Sequence, residues 1–255
     1  EVDNMRQFAA KAGGNAIAYA DPNEDTIAYS LAEAMAESGG YLGTAWNKPT
    51  DVGPADLTPN WVIHTSPDDK INGYNIAKAL FESMGGEGKI FVCQGLLGNT
   101  CANNRYEGLQ EALAEYPNIE VAADDTANWN TDEALQLVET WLTQTPDVGG
   151  IWCANDNMAT GALQALEGKG LKGKVGVVGI DANTDIVEAV RDGYATATVS
   201  SNGYLQGGYT LAICYAAWAG LIDVEELPAE YREFATPAKL IDSPEAAKDH
   251  LTNTP

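Results

Sequence analysis

Basic residues are scarce in this chain of 255 residues: Lys and Arg number 14 against 37 Asp and Glu, for a net charge of −23. A surface of that sign repels phosphate backbones and anionic membranes, so nucleic acid is excluded as a natural partner. The acidity is otherwise a solubility device, as in a salty habitat, or an attraction for a cationic ligand. Histidine is scarcer still, with only His64 and His250, far apart and without a nucleophile signature beside them. The four cysteines, Cys93, Cys101, Cys153 and Cys214, lack the paired spacing of zinc ligands. Their even number permits disulfides in an oxidising compartment. Cys93 and Cys101 lie close enough in sequence to pair across a short loop; the alternative is buried thiols with no bond. No apolar run approaches the roughly 20 residues that span a bilayer, and no signal peptide is visible, as expected of a mature or trimmed chain. Phosphate loops, dinucleotide fingerprints and nucleophile elbows are also absent. These absences lead to the expectation of a chain that is not an enzyme and carries neither cofactor nor metal.

What is present is a strand–helix alternation. From about residue 68 to residue 201 the two patterns follow each other with little interruption. Lys89-Ile-Phe-Val-Cys-Gln94 is a short apolar run between glycines, as a strand covered on both faces should be. Residues 105–116 have helical spacing and stop at Pro117-Asn118; residues 119–123 then read as a strand. Asn130 with Glu133 three residues on is a capping-box start for a helix burying Ala134, Leu137, Val138, Trp141 and Leu142. Strands at 150–154, 174–180 and 196–200 alternate with helices at 157–166 and 185–191. Toward the N-terminus the theme recurs: helices at 2–12 and 25–37, strands at 15–19, 41–46 and 61–65, and a Pro-rich loop through Pro49, Pro54 and Pro59. A late helix at 207–219 has no sheet of its own and is expected to fold back onto the N-terminal lobe, and the chain after Asp242 reads as an extended tail. Single helices between strands imply right-handed crossovers and parallel sheets. The chain opens inside a helix, so its first lobe lacks an initiating strand and reads as incomplete.

In open parallel sheets, ligands bind beyond the carboxyl ends of the strands. Asp21, Trp46-Asn47, Trp129, Asn155-Asp156, Asp181 and Ser201 all follow strands, and Arg105 lies one helical turn after the loop 95–100. Amides, carboxylates and a guanidinium bind hydroxyls, and an indole covers the apolar face of a ring, which suits a polyol. Each residue also has a plainer role open to it: Asp21 as a turn or cap, Asn155-Asp156 as a helix cap, Trp129 as a staple on a helix start, Trp46 as core, Arg105 as a partner of Glu107 or another surface carboxylate. The repeated placement of such groups at strand ends is the signal, because independent caps would not favour Trp and Arg. Trp152, inside a strand, reads as core. The acidic pairs Asp68-Asp69 and Asp124-Asp125 are of the kind glycosidases use, but in loops of so acidic a chain they read as solvated or capping.

The segments Gly95-Leu-Leu-Gly-Asn-Thr100 through Arg105-Tyr-Glu-Gly108, Ala154-Asn-Asp-Asn-Met158, Val177-Val-Gly-Ile-Asp181 and Ala197-Thr-Val-Ser-Ser201, in this order and spacing, resemble the periplasmic sugar-binding proteins of ABC transporters. The type is the ribose-binding one, which shares its fold with LacI-type repressor cores. The resemblance runs from Trp61 to Gly220 and back through Trp46-Asn-Lys-Pro49 and Ala20-Asp-Pro22. It implies two doubly wound Rossmann-like lobes with parallel sheets and a three-crossing hinge near residues 66–67, 201–202 and 234–235. The lobes would be 1–67 plus 202–234, lacking the family's opening strand–helix–strand unit, and 68–201 plus 235–255. It implies sugar contacts from Arg105, Trp129, Asn155, Asp181 and Ser201 in one lobe and Asp21, Trp46 and Asn47 in the other, with closure around the ligand. The ribose proteins carry Asp-Arg where Trp46-Asn47 stands and Gln in place of Ser201, so the resemblance leaves the ligand open among sugars and polyols. It further implies a monomer in the periplasm or outside the cell, lipid anchoring at the N-terminus left open, that serves a membrane permease. The competing expectation is the sugar-sensing effector domain of a LacI-type regulator.

Overall fold

The computed structural model describes residues 1–254. In chain order its elements are α1 (Val2–Ala12), β1 (Ile17–Ala20), α2 (Ile27–Ser38), β2 (Tyr41–Ala45), α3 (Pro54–Leu57), β3 (Trp61–Pro67), α4 (Asp69–Ser83), β4 (Glu87–Gln94), α5 (Thr100–Glu115), β5 (Asn118–Thr126) and α6 (Thr131–Gln144). There follow β6 (Gly150–Cys153), α7 (Asp156–Gly168), β7 (Gly176–Val178), α8 (Thr184–Arg191), β8 (Thr198–Ser200), α9 (Gly203–Trp218), one 3-10 turn (Ala229–Tyr231), β9 (Glu233–Thr236), β10 (Lys239–Ile241) and α10 (Pro244–Asn253). Two compact units result. One takes residues 1–68, 98–101 and 202–237; the other takes 69–97, 102–201 and 238 onwards.

The first unit is built on a sheet of order β1-β2-β3-β9 with every pair parallel. β3 is almost wholly buried, as its apolar run Trp61-Val-Ile dictates. The late helix α9 does fold onto this unit, against β1, β2 and β3, through Gln206, Thr210, Cys214 and Ala217. It starts at Gly203 rather than 207 because Asn202, at φ 50°, turns the chain and accepts a hydrogen bond from Leu205 N. The Pro-rich stretch is no plain loop. Pro54 opens the single turn α3, and buried Arg232 donates to the carbonyls of Pro54, Thr58, Trp61 and Val62, tying this stretch to the start of β3.

The second unit carries the parallel order β5-β4-β6-β7. A bridge from Val178 to Ala197 continues the sheet to β8, on which β10 pairs antiparallel. Its core gathers Phe81, Phe91, Leu109 and Trp152; the Trp152 indole N–H finds Gly73 O at 3.3 Å, so the ring is core, as expected. α5 starts at Thr100, five residues before the expected Arg105. α4 and α5 cross at two glycines. A Cβ on Gly73 would meet Arg105 O at 2.1 Å, and one on Gly108 would meet Lys70 O at 2.1 Å. Only glycine permits that approach, and it brings the start of α4 against the second turn of α5.

Two expectations need correction. The chain after Asp242 is not an extended tail: Ser243 caps α10 by accepting from Ala246 N, Pro244 occupies its first turn, and Ala247 is buried in the core. Glu133 does not complete a capping box. Asn130 accepts from Asp132 N and Glu133 N, while the Glu133 carboxylate accepts from Asn128 Nδ2 at 2.7 Å. The four cysteines are buried free thiols, so Cys93 and Cys101 do not pair.

Candidate functional site

The parallel sheet of the second unit delivers a group of polar side chains beyond its strand ends: Trp129 after β5, Asn155 after β6, Asp181 after β7 and Ser201 after β8. Arg105 reaches them from α5. It does not pair with Glu107, which holds Lys70 instead. Its Nε donates to Asp69 Oδ1 at 2.7 Å, with 4% and 2% of the two side chains exposed, and its Nη1 donates to Ala154 O at 2.8 Å. Nη2 lies 3.9 Å from Asp181 Oδ1. The guanidinium carbon sits 5.6 Å from the centre of the Trp129 ring, a cation–π geometry. The sequence suggests a solvated or capping role for Asp69. It is instead a buried anchor that fixes the guanidinium on one edge.

Trp129 is half-buried and stacks on the backbone of Gly95; a Cβ there would fall 2.1 Å from its Cη2. Its ring also packs against the core of this unit. Asn155 caps α7, its Oδ1 accepting from Met158 N at 3.0 Å, and its amide NH2 has no partner among the described residues. Its neighbour Asp156 faces the core. The carboxylate accepts from Thr198 Oγ1 at 2.9 Å and from Asn183 N at 2.7 Å, tying the loop that carries Asp181 to β8. Ser201 is 3% exposed, and its Oγ is a buried group without a hydrogen-bond partner among the described residues.

In the first unit, Asp21 and Trp46-Asn47 follow β1 and β2. Asn47 Nδ2 donates to Asp21 Oδ1 at 3.2 Å, and Asn47 Oδ1 accepts from Cys101 N, so this amide orients Asp21. The buried Trp46 Nε1 likewise has no partner among the described residues. A concavity of about 580 Å³ runs beside β1, lined by Met5, Phe8, Tyr19, Asp21 and others; of the eight candidates only Asp21 reaches it. Burial, with Lys48 nearby, pushes the pKa of His64 down to about 3, and Nδ1 shares a hydrogen bond with Thr44 Oγ1.

Backbone strain marks the same positions. Trp46 (φ 55°), Trp129 (φ 63°) and Asp181 (φ 127°) lie in the region that side-chain-bearing residues avoid. Each costs about 1–3 kcal/mol, and such residues gather where function holds them.

Burial raises the pKa of Asp181 to about 6, opposed by Arg105 and reinforced by Asp69, although 32% of its side chain meets solvent. A carboxyl raised in the fold adds stability that is whole below its ordinary value of 3.8 and is lost as pH climbs through about 6. Asp181→Asn should therefore gain on the wild type as pH rises from about 4 to about 7, read as the difference in urea midpoints. A constant difference would show that Asp181 does not titrate in this window.

A family model for the periplasmic binding protein domain matches residues 2–221. The chain belongs to the periplasmic binding protein family. Among its relatives, the xylitol-binding protein of Mycolicibacterium smegmatis is 36% identical over 195 residues, 76% of this chain and 54% of that protein. The ribose import binding protein of Salmonella typhimurium is 37% identical over 140 residues, 54% of this chain and 46% of that protein. The chain spans about half the length of the curated relatives it matches. In structure, this periplasmic binding protein matches a twin-arginine translocation pathway signal protein from Burkholderia phytofirmans with a TM-score of 0.94 and 33% identity, covering 99% of this chain and 80% of that one. An ABC transporter periplasmic solute-binding protein from Actinobacillus succinogenes, solved with D-allose bound, aligns with a TM-score of 0.84 and 26% identity over 97% of this chain and 84% of that one. The α/β fold with parallel sheets expected from the sequence is thus that of periplasmic binding proteins.

Proposed function

We propose that this chain is the solute-binding component of an ABC importer, that it binds a sugar or polyol without transforming it, and that it serves a membrane permease. One observation carries the reading: Arg105 is clamped by Asp69 and Ala154 O beneath Trp129 and beside Asp181, at the ends of parallel strands. A fixed guanidinium and a carboxylate bind paired hydroxyls, and an indole covers the C–H face of a ring or polyol chain. The buried Oγ of Ser201 and Nε1 of Trp46 are polar groups that the fold leaves for water or a ligand hydroxyl to satisfy. Asn155, through its amide NH2, completes the proposed contacts of the second unit; taken by itself, the first unit offers the Asp21–Asn47 pair as a polar contact of its own. Relatives named for xylitol, ribose and D-allose support the ligand class. The periplasm or the cell exterior is the matching location, with the protein acting as a monomer.

The test is a calorimetric panel of xylitol, D-ribose, D-allose and myo-inositol against the wild type and Arg105→Lys. We expect one neutral member to bind and be recovered unchanged, and Arg105→Lys to weaken it by about tenfold or more, because an ammonium cannot keep the forked geometry. No binding across the panel, or turnover of the bound sugar, would overturn the reading.

A further inference from the structure

The charge around Arg105 is arranged in a way that binding hydroxyls does not by itself require. Among the described residues Arg105 is the one buried cation of the second unit; the other buried cations, Lys48 and Arg232, belong to the first. It is covered on its Nε edge by a carboxylate with 2% of its side chain exposed, and a second carboxylate, Asp181, stands 3.9 Å from Nη2. With both acids ionised, the trio carries one net negative charge around the one buried cation of this unit among the described residues. The close backbone approach at Gly73 and Gly108 also joins α4 to α5, so the Asp69–Arg105 pair is not their sole contact.

We propose that Asp69 is a specificity-determining residue: by cancelling the charge of Arg105 it makes the site accept uncharged polyols and reject those carrying a carboxylate or phosphate. This inference rests on the transport reading above and deepens it. A neutral hydroxyl accepts a hydrogen bond from a guanidinium whether or not a carboxylate sits behind it, because the bond is local. An anion must find net positive potential to repay its lost hydration, and here it meets Asp69 and Asp181 instead. Rejection of the wrong ligand is thereby built from repulsion, without a steric block.

Asp69→Asn keeps an oxygen that can accept from Arg105 Nε and removes the charge. With calorimetry on the full chain, the neutral panel member that binds best is compared with D-xylonate and D-gluconate. The wild type should prefer the neutral ligand by about 100-fold or more, and Asp69→Asn should narrow that ratio by about tenfold or more through tighter binding of the acids. If Asp69→Asn weakens neutral and acidic ligands in equal proportion, or leaves both unchanged, the inference is overturned while the transport reading stands. If the wild type binds no neutral member, both fall. Should Asp69→Asn fail to fold, Asp181→Asn removes a negative charge near Nη2 without touching the Nε clamp; because Asp181 is itself a proposed contact of the neutral ligand, that variant is read through the acids alone, and unchanged affinity for D-xylonate and D-gluconate would also sink the proposal.

Discussion

Replacing Gly95 with alanine should cost ligand affinity about as much as deleting the indole of Trp129. The ring lies directly on the Gly95 backbone, and an added methyl would fall 2.1–2.5 Å from three of its carbons. Contact that close cannot be absorbed by the backbone of the β4 exit without disturbing β4 itself, so the ring must move. It would then leave both its place over Arg105 and the surface it offers a ligand. An aromatic anchor of this kind is worth about 2 kcal/mol or more, a loss of about 30-fold in affinity. Trp129→Ala and Gly95→Ala should thus show similar dissociation constants in calorimetry, with thermal midpoints close to the wild type because the ring is only half-buried. Leu97→Ala, on the same loop but largely exposed, is the control and should bind normally. Wild-type affinity in Gly95→Ala would mean that the ligand does not use the ring.

The largest effect on stability is expected at Asp156. This carboxyl is fully buried and accepts from Thr198 Oγ1 and Asn183 N. Asp156→Ala strands both in a dry interior beside a small cavity, at a cost of about 3–5 kcal/mol. For a chain of this size that is a fall of about 10 °C or more in the thermal midpoint. Burial and the nearby charge of Asp181 push the Asp156 pKa well up, which favours the neutral acid. An amide resembles that form, so Asp156→Asn should lose much less, and its deficit should shrink further as pH rises above the ordinary carboxylate range. The sign follows from linkage: a raised pKa stabilises fully below 3.8 and progressively less above it. Equal losses in the two variants would show that the side chain acts as an anion.

The strand ends were legible because β3, β4 and β6 are apolar runs bracketed by glycine or polar residues, and the residue after each is then fixed by counting. Asp69 was not legible. An acid at a helix start is ordinarily a cap, and its partner Arg105 lies 36 positions away. Arg232 was not legible for the same reason, its four carbonyl partners being 170 or more positions distant. Asn155 read correctly both as a cap and as a strand-end residue, which hid the core role of Asp156 beside it. The helix α10 was announced by Ser243-Pro244-Glu245, a start signal that the surrounding polar residues obscured. The left-handed backbone at Trp46 and Trp129 has no local cause in the sequence, since tryptophan does not favour it; the surrounding fold imposes it.

A guanidinium over an indole also affects how that indole emits light. Of the six tryptophans, Trp61 and Trp152 are sealed in the interior and spend their N–H groups on Thr44 and Gly73, so their emission is insulated from solute. Trp129 lies beside a cation and against Gly95, and a solute entering beside that cation would alter the quenching of this ring. The molecule thus carries its own optical reporter at the point where recognition would occur.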